Sequence, residues 1–267
     1  DEQVIEVNAT DRPIKGYIQV VKKDVDSGKT IVAANTTFNV HKKDGTIIDT
    51  ITTDSTGKAK IQVRYGEYYL TEKTPPTNYT GSSKKLTYTV SEDGKTYSAE
   101  FSNKRVTGTI NLTKVDSVTG GTPQGEASLK GAVYDLYARE NILDPADGSV
   151  IYKAGAKVTS LVTDSAGKAS VSNLYLGKFY LKERTPSPGY TLDETEYDIT
   201  LSYESPSVSV VTKNQTVKER VISQAFSIIK ISDNGTGEAD ILEGIEFTVK
   251  SQKDIEKYGS WEAAPVA

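Results

Sequence analysis

The sequence Tyr-Leu-Thr-Glu-Lys-Thr-Pro at residues 69–75 returns at residues 180–186 as Tyr-Leu-Lys-Glu-Arg-Thr-Pro, and this repeat decides the fold. Before each glutamate, apolar residues occupy every second position, which is the period of a β-strand with two different faces. Each glutamate shares its face with the apolar residues before it, which are Tyr68, Leu70, Phe179 and Leu181. We therefore expect Glu72 and Glu183 to point into a core.

A lysine and an asparagine follow the same rule in each repeat. The lysine ends an alternating apolar run before the glutamate, and the asparagine ends another run after it. The runs are Ile18, Val20, Lys22 and Ala99, Phe101, Asn103 in the first copy, and Ile110, Leu112, Lys114 and Val208, Val210, Asn214 in the second. The same number of residues separates glutamate from asparagine in both copies. Since an isolated buried charge is costly, we expect an amine, a carboxyl and an amide to meet in each core.

The repeat also predicts the domain organisation. A third copy begins with Phe226, Ile228 and Lys230 on one face and a strand at residues 242–249, and it stops before any matching glutamate or asparagine. Strand-like runs and turn signals indicate about seven strands in each complete unit, which is typical of an antiparallel β-sandwich. We predict a linker or tail of a preceding unit at 1–15, a first domain at 16–105, a second domain at 106–219 and an incomplete third domain at 220–267.

Composition supports an all-β chain and excludes several functions. Tyrosine outnumbers phenylalanine by 16 to 5, which favours half-buried strands. Cysteine is absent, so disulfides and thiolate metal sites are excluded. A net charge of −4 with both signs scattered argues against nucleic acid. Apolar runs are too short to span a bilayer, so we predict no membrane insertion in these residues. We also predict no cofactor and no metal site, although acidic segments at 144–147 and 233–238 resemble partial calcium loops.

These motifs resemble the collagen-adhesin B-type, or SpaA-like, domains of surface proteins and pilins of Gram-positive bacteria. The resemblance covers residues 14–217 fully and 225–250 in part. It is carried by the glutamate motifs, the Lys-x-Asp-x-x-Ser/Thr-Gly openings at Lys22 and Lys114, the Gly-Ala-x-Tyr-x-Leu strand from Gly131 and the closing asparagines. It implies tandem prealbumin-like, Ig-like sandwiches in which lysine and asparagine condense into an intramolecular isopeptide bond with glutamate as catalyst. The implied bonds are Lys22–Asn103 with Glu72 and Lys114–Asn214 with Glu183, and Lys230 belongs to an incomplete third site.

The chemistry of these residue types supports the same assignment. Burial favours the neutral amine, which is a nucleophile, and a protonated glutamate can polarise the asparagine amide. Such a domain reacts once, so we do not predict an enzyme. Each residue alone has a simpler explanation, because strand lysines and glutamates are normally exposed. Lys23 is a competing nucleophile, but it lies on the opposite strand face from Val20 and should therefore face solvent.

Two functions follow from this organisation. The first is the stalk of a cell-wall-anchored, extracellular adhesin or pilin, a monomeric rod that displays a distal binding tip. The alternative is a ligand-binding module for host extracellular matrix or a neighbouring surface subunit. Its surface would be the insertion at residues 139–156, which we predict to be a hairpin or a short helical turn, together with exposed tyrosines.

Overall fold

A computed structural model describes residues 10–32, 35–228 and 246–266 of the chain. It confirms the all-β prediction, because two β-sandwiches of the same design follow one another. The strands of the first sandwich are β1 (Lys15–Asp24), β2 (Thr37–Lys42), β3 (Ile47–Thr52), β4 (Lys58–Arg64), β5 (Gly66–Thr74), β6 (Lys85–Val90) and β7 (Thr96–Asn103). They form one sheet in the order β4-β1-β7 and a second in the order β3-β2-β5-β6.

The second sandwich repeats this plan and adds one hairpin. Its strands are β8 (Thr107–Asp116), β9 (Val133–Ala138), β10 (Ile142–Leu143), β11 (Val150–Tyr152), β12 (Lys157–Val162), β13 (Lys168–Leu174), β14 (Gly177–Thr185), β15 (Glu196–Leu201) and β16 (Val210–Glu219). The sheets have the orders β13-β8-β16 and β12-β9-β14-β15. Strands β10 and β11 pair with each other, so the insertion is a hairpin, one of the two predicted alternatives.

The first and last strands of each domain pair in parallel, a detail that the prediction of antiparallel sandwiches did not include. The parallel pairs are β1 with β7 and β8 with β16. All other pairings among the described strands are antiparallel. A parallel pair needs a long connection, and here the whole domain supplies it. The C-terminal ends of the two strands therefore lie side by side.

The cores lie between the two sheets of each domain. Along β1 and β8 every second residue is buried, as the alternating sequence predicts. In β1 the apolar members of this set are Ile18 and Val20, both with no exposed surface. Lys22 continues the same face and is also fully buried. The strand therefore leads the amine into the core.

A short junction with specific contacts joins the two domains. The β10–β11 hairpin packs against the first domain, where Lys29 forms ion pairs of 2.8 Å with both Asp144 and Asp147. The Val32 N–H donates to the Ala146 carbonyl at 2.8 Å. Residues 104–106 connect β7 to β8, so covalent and noncovalent links both hold the junction.

In the described part of the tail beyond the second domain, the predicted inward face is absent. Phe226 and Ile228, expected to face a core, are 68% and 51% exposed. An inward face needs a second sheet, and no described strand pairs with this segment. Lys230 lies outside the described residues, as does the first half of the expected 242–249 strand, and residues 246–249 are not a strand. A short helix, α1 (Gln252–Tyr258), follows instead. In the described ranges, no helix has the length and apolar character needed to cross a membrane.

Candidate functional site

Three strands of the first domain bring Lys22, Glu72 and Asn103 into one buried cluster. Lys22 lies near the end of β1, and Asn103 is the last residue of the neighbouring β7. Glu72 lies on β5 in the opposite sheet, so its side chain reaches the other two across the core. The side chains of Lys22 and Glu72 are 0% and 2% exposed, and Asn103 is 2% exposed. The structure thus unites all three predicted residues of the first domain.

The hydrogen bonds of this cluster fix the orientation of the asparagine amide. Lys22 Nζ donates to Glu72 Oε1 at 2.5 Å and also to Asn103 Oδ1. Asn103 Nδ2 donates to the two Glu72 oxygens at 3.1 and 2.9 Å and to the Thr80 carbonyl at 2.7 Å. The Ser82 N–H donates to Glu72 Oε2 at 3.0 Å. The amide oxygen therefore faces the amine, and the amide nitrogen faces the carboxylate.

Burial of Lys22 shifts its amine toward the neutral form. The shift prevails although Nζ lies over two ring faces that attract a cation, 4.2 Å from the centre of Phe101 and 5.3 Å from that of Phe38. Burial lowers the pKa of Lys22 to about 8, although Glu72 opposes the shift. The competing nucleophile Lys23 lies outside the cluster, where it pairs with exposed Glu100 at 3.7 Å. Lys22 is thus the amine placed for reaction.

The second domain has a corresponding cluster with a different third member. The side chains of Lys114, Glu183 and Glu219 have no exposed surface. Lys114 Nζ forms an ion pair with Glu219 Oε2 and lies 3.8 Å from Glu183 Oε1. The Asp193 N–H donates to Glu183 Oε2 at 2.9 Å, and the Tyr134 hydroxyl donates to Glu219 Oε1. This site therefore contains two carboxyls and one amine.

The structure does not bring Asn214 into this cluster, and we correct the predicted set to Lys114, Glu183 and Glu219. Asn214 is exposed and accepts a hydrogen bond of 3.0 Å from Asn111 on the neighbouring strand. By register with the first strand of its domain, Glu219 is the counterpart of Asn103.

A longer loop explains why equal spacing was misleading. Residues 91–95 connect the last two strands of the first domain, whereas residues 202–209 connect those of the second. The longer loop contacts the first domain, because the Pro206 carbonyl accepts from the Gly81 N–H at 2.9 Å. The loop is three residues longer and β16 begins to pair with β8 two residues earlier, so the closing position lies five residues later than equal spacing implies. A signal was present in the sequence, since Val211, Val217 and Glu219 share one strand face and are buried.

Burial perturbs all three ionisable groups of the second cluster. It lowers the pKa of the Lys114 amine to about 8 and raises that of the Glu219 carboxyl to about 7. It also raises the pKa of Glu183, against the hydrogen bond from the Asp193 N–H. Two adjacent buried carboxyls do not both ionise readily. A proton is therefore retained in the cluster near neutral pH.

No metal site emerges from the described ranges, where no group of three or more His, Asp or Glu side chains is placed to hold an ion. Asp144 and Asp147, from one acidic segment, instead share Lys29. The other segment, at 233–238, lies outside the described residues. The two clusters offer a buried amine beside an amide in one domain and beside a carboxyl in the other, and both are suited to forming an amide bond.

The fold and the repeated clusters define a class of protein, tandem β-sandwiches whose first and last strands meet at a buried lysine. The chain belongs to the family of SpaA prealbumin-like fold domains, whose model matches residues 16–105 and 108–216. This match confirms the resemblance that the motifs indicated. No curated protein matches the chain significantly.

Several solved structures are similar to the chain. The Bacillus anthracis TIE protein is 23% identical over 77% of this chain and 34% of its own, with a TM-score of 0.60. This chain thus spans about a third of that protein, and the similarity supports the fold alone. A streptococcal ancillary pilin is 18% identical over 79% of this chain and 63% of its own, with a TM-score of 0.32. The minor pilin GBS52 of Streptococcus agalactiae is 16% identical over 80% and 100%, with a TM-score of 0.33.

Proposed function

We propose that this chain is part of the stalk of a Gram-positive adhesin or pilus, outside the cell and anchored to its wall. In this proposal, covalent bonds between its own side chains hold the domains closed. The observation that carries it is the meeting of Lys22, Glu72 and Asn103 from three strands in one buried cluster, with the same lysine and glutamate positions repeated in the next domain.

In the first domain the proposed reaction joins Lys22 to Asn103. The neutral Lys22 amine attacks the side-chain carbonyl carbon of Asn103, and a C–N bond forms. Glu72 accepts a proton from the amine and delivers it to the asparagine nitrogen, which leaves as ammonia. Glu72 is regenerated, but the amide product remains in the core. The domain therefore reacts once and is not an enzyme in the turnover sense.

The position of this bond suits a stalk under tension. Pulling force enters at the start of β1 and leaves after β7, and the two strands run in parallel. A bond from Lys22 to Asn103 joins their C-terminal ends and passes the force directly into residues 104–106. Residues 23–102 are then bypassed. Closing a loop of this size also restrains the unfolded chain by about 4–5 kcal/mol in the chain-entropy model.

Intact-mass measurement of the full chain, followed by peptide mapping, tests the proposal. We expect a peptide that contains both Lys22 and Asn103 and is lighter than its sequence by one ammonia. Separate, unmodified Lys22 and Asn103 peptides would contradict covalent closure of the first domain. Lys22→Ala provides the matched control, because it leaves Asn103 without a nucleophile.

A ligand-binding module is the alternative function, and the structure narrows its surface. One side of the β10–β11 hairpin packs on the first domain, where Ala146 is 1% exposed. Outward-facing rings remain, such as the stacked pair Tyr137 and Tyr180, whose centres are 5.1 Å apart. A solid-phase screen with matrix proteins separates the two functions, since a pure spacer binds none of them.

A further inference from the structure

The two clusters differ at a second position besides the residue that the amine would attack, which is Asn103 in the first and Glu219 in the second. Phe38 lies opposite Glu72 in the register of the first domain, and Tyr134 lies opposite Glu183 in the second. Tyr134 is fully buried, and its hydroxyl donates to Glu219 Oε1. The added hydroxyl is thus found in the domain where the acceptor is a carboxyl.

The polar atoms of the second cluster are incompletely satisfied. Among the described residues, Lys114 Nζ, Glu183 Oε1 and Glu219 Oε2 have no hydrogen-bond partner, although the amine and Glu219 are in ion-pair contact. Taking charges out of water without full hydrogen bonding is energetically unfavourable. Condensation of the amine with the carboxyl would remove both charges from the core.

We propose that the second domain closes through an amide bond between Lys114 Nζ and the side-chain carboxyl carbon of Glu219, with release of water, and that Tyr134 is a catalytic residue for this step. The inference rests on the proposed covalent closure of these domains. The reaction differs from that proposed for the first domain in three ways: the group attacked is a carboxyl, the leaving group is water and a tyrosine hydroxyl is added as hydrogen-bond donor.

The reaction balances without any further reagent. The neutral Lys114 amine attacks the carboxyl carbon of protonated Glu219, a C–N bond forms and the electron pair of the C=O bond moves to Oε1. Glu183 Oε1 lies 3.8 Å from the amine and is free to accept its proton. That proton passes to the hydroxyl at Oε2, the C–O bond breaks and water leaves. Amine and acid become amide and water, and Glu183 regains its starting state.

Tyr134 is placed to stabilise the charge that develops during attack. Its hydroxyl contacts Oε1, which carries the negative charge of the tetrahedral intermediate and becomes the amide oxygen. A preorganised donor in a water-free site is worth far more than in water, and removal of one such donor typically slows a reaction by about 10²–10³-fold. The hydrogen bond also holds Oε2, rather than Oε1, toward the amine as the leaving oxygen.

Peptide mapping of the full chain tests the bond itself. We expect a linked peptide that contains Lys114 and Glu219 and is lighter by one water, beside the ammonia loss of the first domain. Ammonia loss in the first domain with free Lys114 and Glu219 would overturn this inference and leave the proposed stalk standing. Water loss in the second domain without ammonia loss in the first would support the inference and contradict closure of the first domain.

Two acceptor variants make the assignment specific. In Glu219→Gln the same bond is expected to form with loss of ammonia in place of water, whereas Glu219→Ala leaves Lys114 free. Asn214→Ala is the matched control, because the sequence predicted Asn214 as the partner of Lys114. In this variant the peptide that links Lys114 to Glu219 is expected to form as before. Loss of the link in Asn214→Ala would overturn the assignment.

The role of Tyr134 requires a rate measurement. The full chain is made by cell-free synthesis, and synthesis is then stopped. Samples quenched with acid at successive times and measured by mass give the rate of water loss. Tyr134→Phe is expected to lower this rate about 100-fold while ammonia loss stays unchanged, because Phe38 already occupies this position in the first domain. Tyr190→Phe keeps the ring, whose centre lies 4.3 Å from Lys114 Nζ, and removes a buried hydroxyl that donates to Asp116, so it is expected to leave the rate unchanged. An unchanged rate in Tyr134→Phe would overturn the catalytic role of Tyr134.

Discussion

The two buried clusters share one scaffold but differ in charge. In the first domain, one carboxylate and a neutral amide surround the amine of Lys22, and the side-chain nitrogen of Asn103 makes three hydrogen bonds. In the second domain, two carboxyls surround the amine of Lys114, and one oxygen of each has no hydrogen-bond partner in the described residues. The strand register determines where the third group sits, whereas its chemical identity determines the electrostatic cost. Substitutions in the second cluster should therefore destabilise their domain more than matching substitutions in the first.

Removal of the lysines should give the largest effect and a clear difference between the domains. Lys114→Ala prevents the proposed bond and leaves Glu219 as a second free carboxyl buried beside Glu183, which costs about 3–5 kcal/mol in addition to the lost cross-link. Lys22→Ala leaves one carboxylate beside a neutral amide and should destabilise its domain less. Denaturant titration followed by hydrogen exchange of each domain measures both effects. Equal losses of stability would contradict the electrostatic difference.

Glu72→Gln should produce a smaller, purely local loss. The variant keeps the size of the side chain but cannot accept the proton from Lys22, so we expect no ammonia loss in the first domain. The free energy of unfolding of that domain should fall by about 4–5 kcal/mol through the missing cross-link. The second domain should be unaffected, because distant sites usually behave independently. Peptide mass and protease resistance report the result, and persistent ammonia loss would show that Glu72 is a bystander.

The β10–β11 hairpin has no counterpart among the described residues of the first domain, and removing its contacts across the junction should have a smaller effect. Lys29→Ala removes the ion pairs to Asp144, whose side chain is nearly buried, and to Asp147. We expect a small loss of stability at the junction, because solvent screens an exposed lysine, and faster amide exchange in residues 142–152. Lys43→Ala is the matched control, because it breaks the exposed 2.9 Å pair with Glu67 far from the hairpin. Equal exchange in the two variants would mean that Lys29 does not hold the junction.

The smallest expected effect concerns acid stability at the turn after β8. Burial alone would raise the pKa of Asp116, but hydrogen bonds from the Thr119 N–H, the Gln124 side chain and the Tyr190 hydroxyl outweigh it and lower the pKa to about 2. The folded state thus favours the carboxylate. Its contribution to stability is present above the ordinary pKa of 3.8 and is lost as the pH falls toward about 2.

A comparison of denaturation midpoints across this range checks the sign. The difference between the unmodified chain and Asp116→Asn should narrow as the pH falls from about 5 to about 2, because the variant has no carboxyl to protonate. Asp24→Asn in the first domain should show the same trend, since the pKa of Asp24 is also lowered. A constant difference would contradict the assigned role of Asp116.

The sequence by itself determined the all-β fold, the repeat of two domains and the inward direction of four site residues. Lys22, Glu72, Lys114 and Glu183 lie within strands whose alternation is unbroken, and each domain could bury only one face of such a strand. Asn103 was also predicted, because the alternating run of Ala99 and Phe101 continues without a break to Asn103 at the end of β7.

Only the tertiary structure decided which residue closes the second cluster. Two valine-containing patterns in β16 have opposite phases, one leading to Asn214 and the other to Glu219, and local alternation does not distinguish them. Pairing with β8 selects the phase that ends at Glu219, because the longer loop at 202–209 shifts the strand along its neighbour. The parallel pairing of first and last strands likewise depends on contacts between residues far apart in the chain. Register across a sheet is a long-range property, so the spacing of residues along the sequence does not determine it.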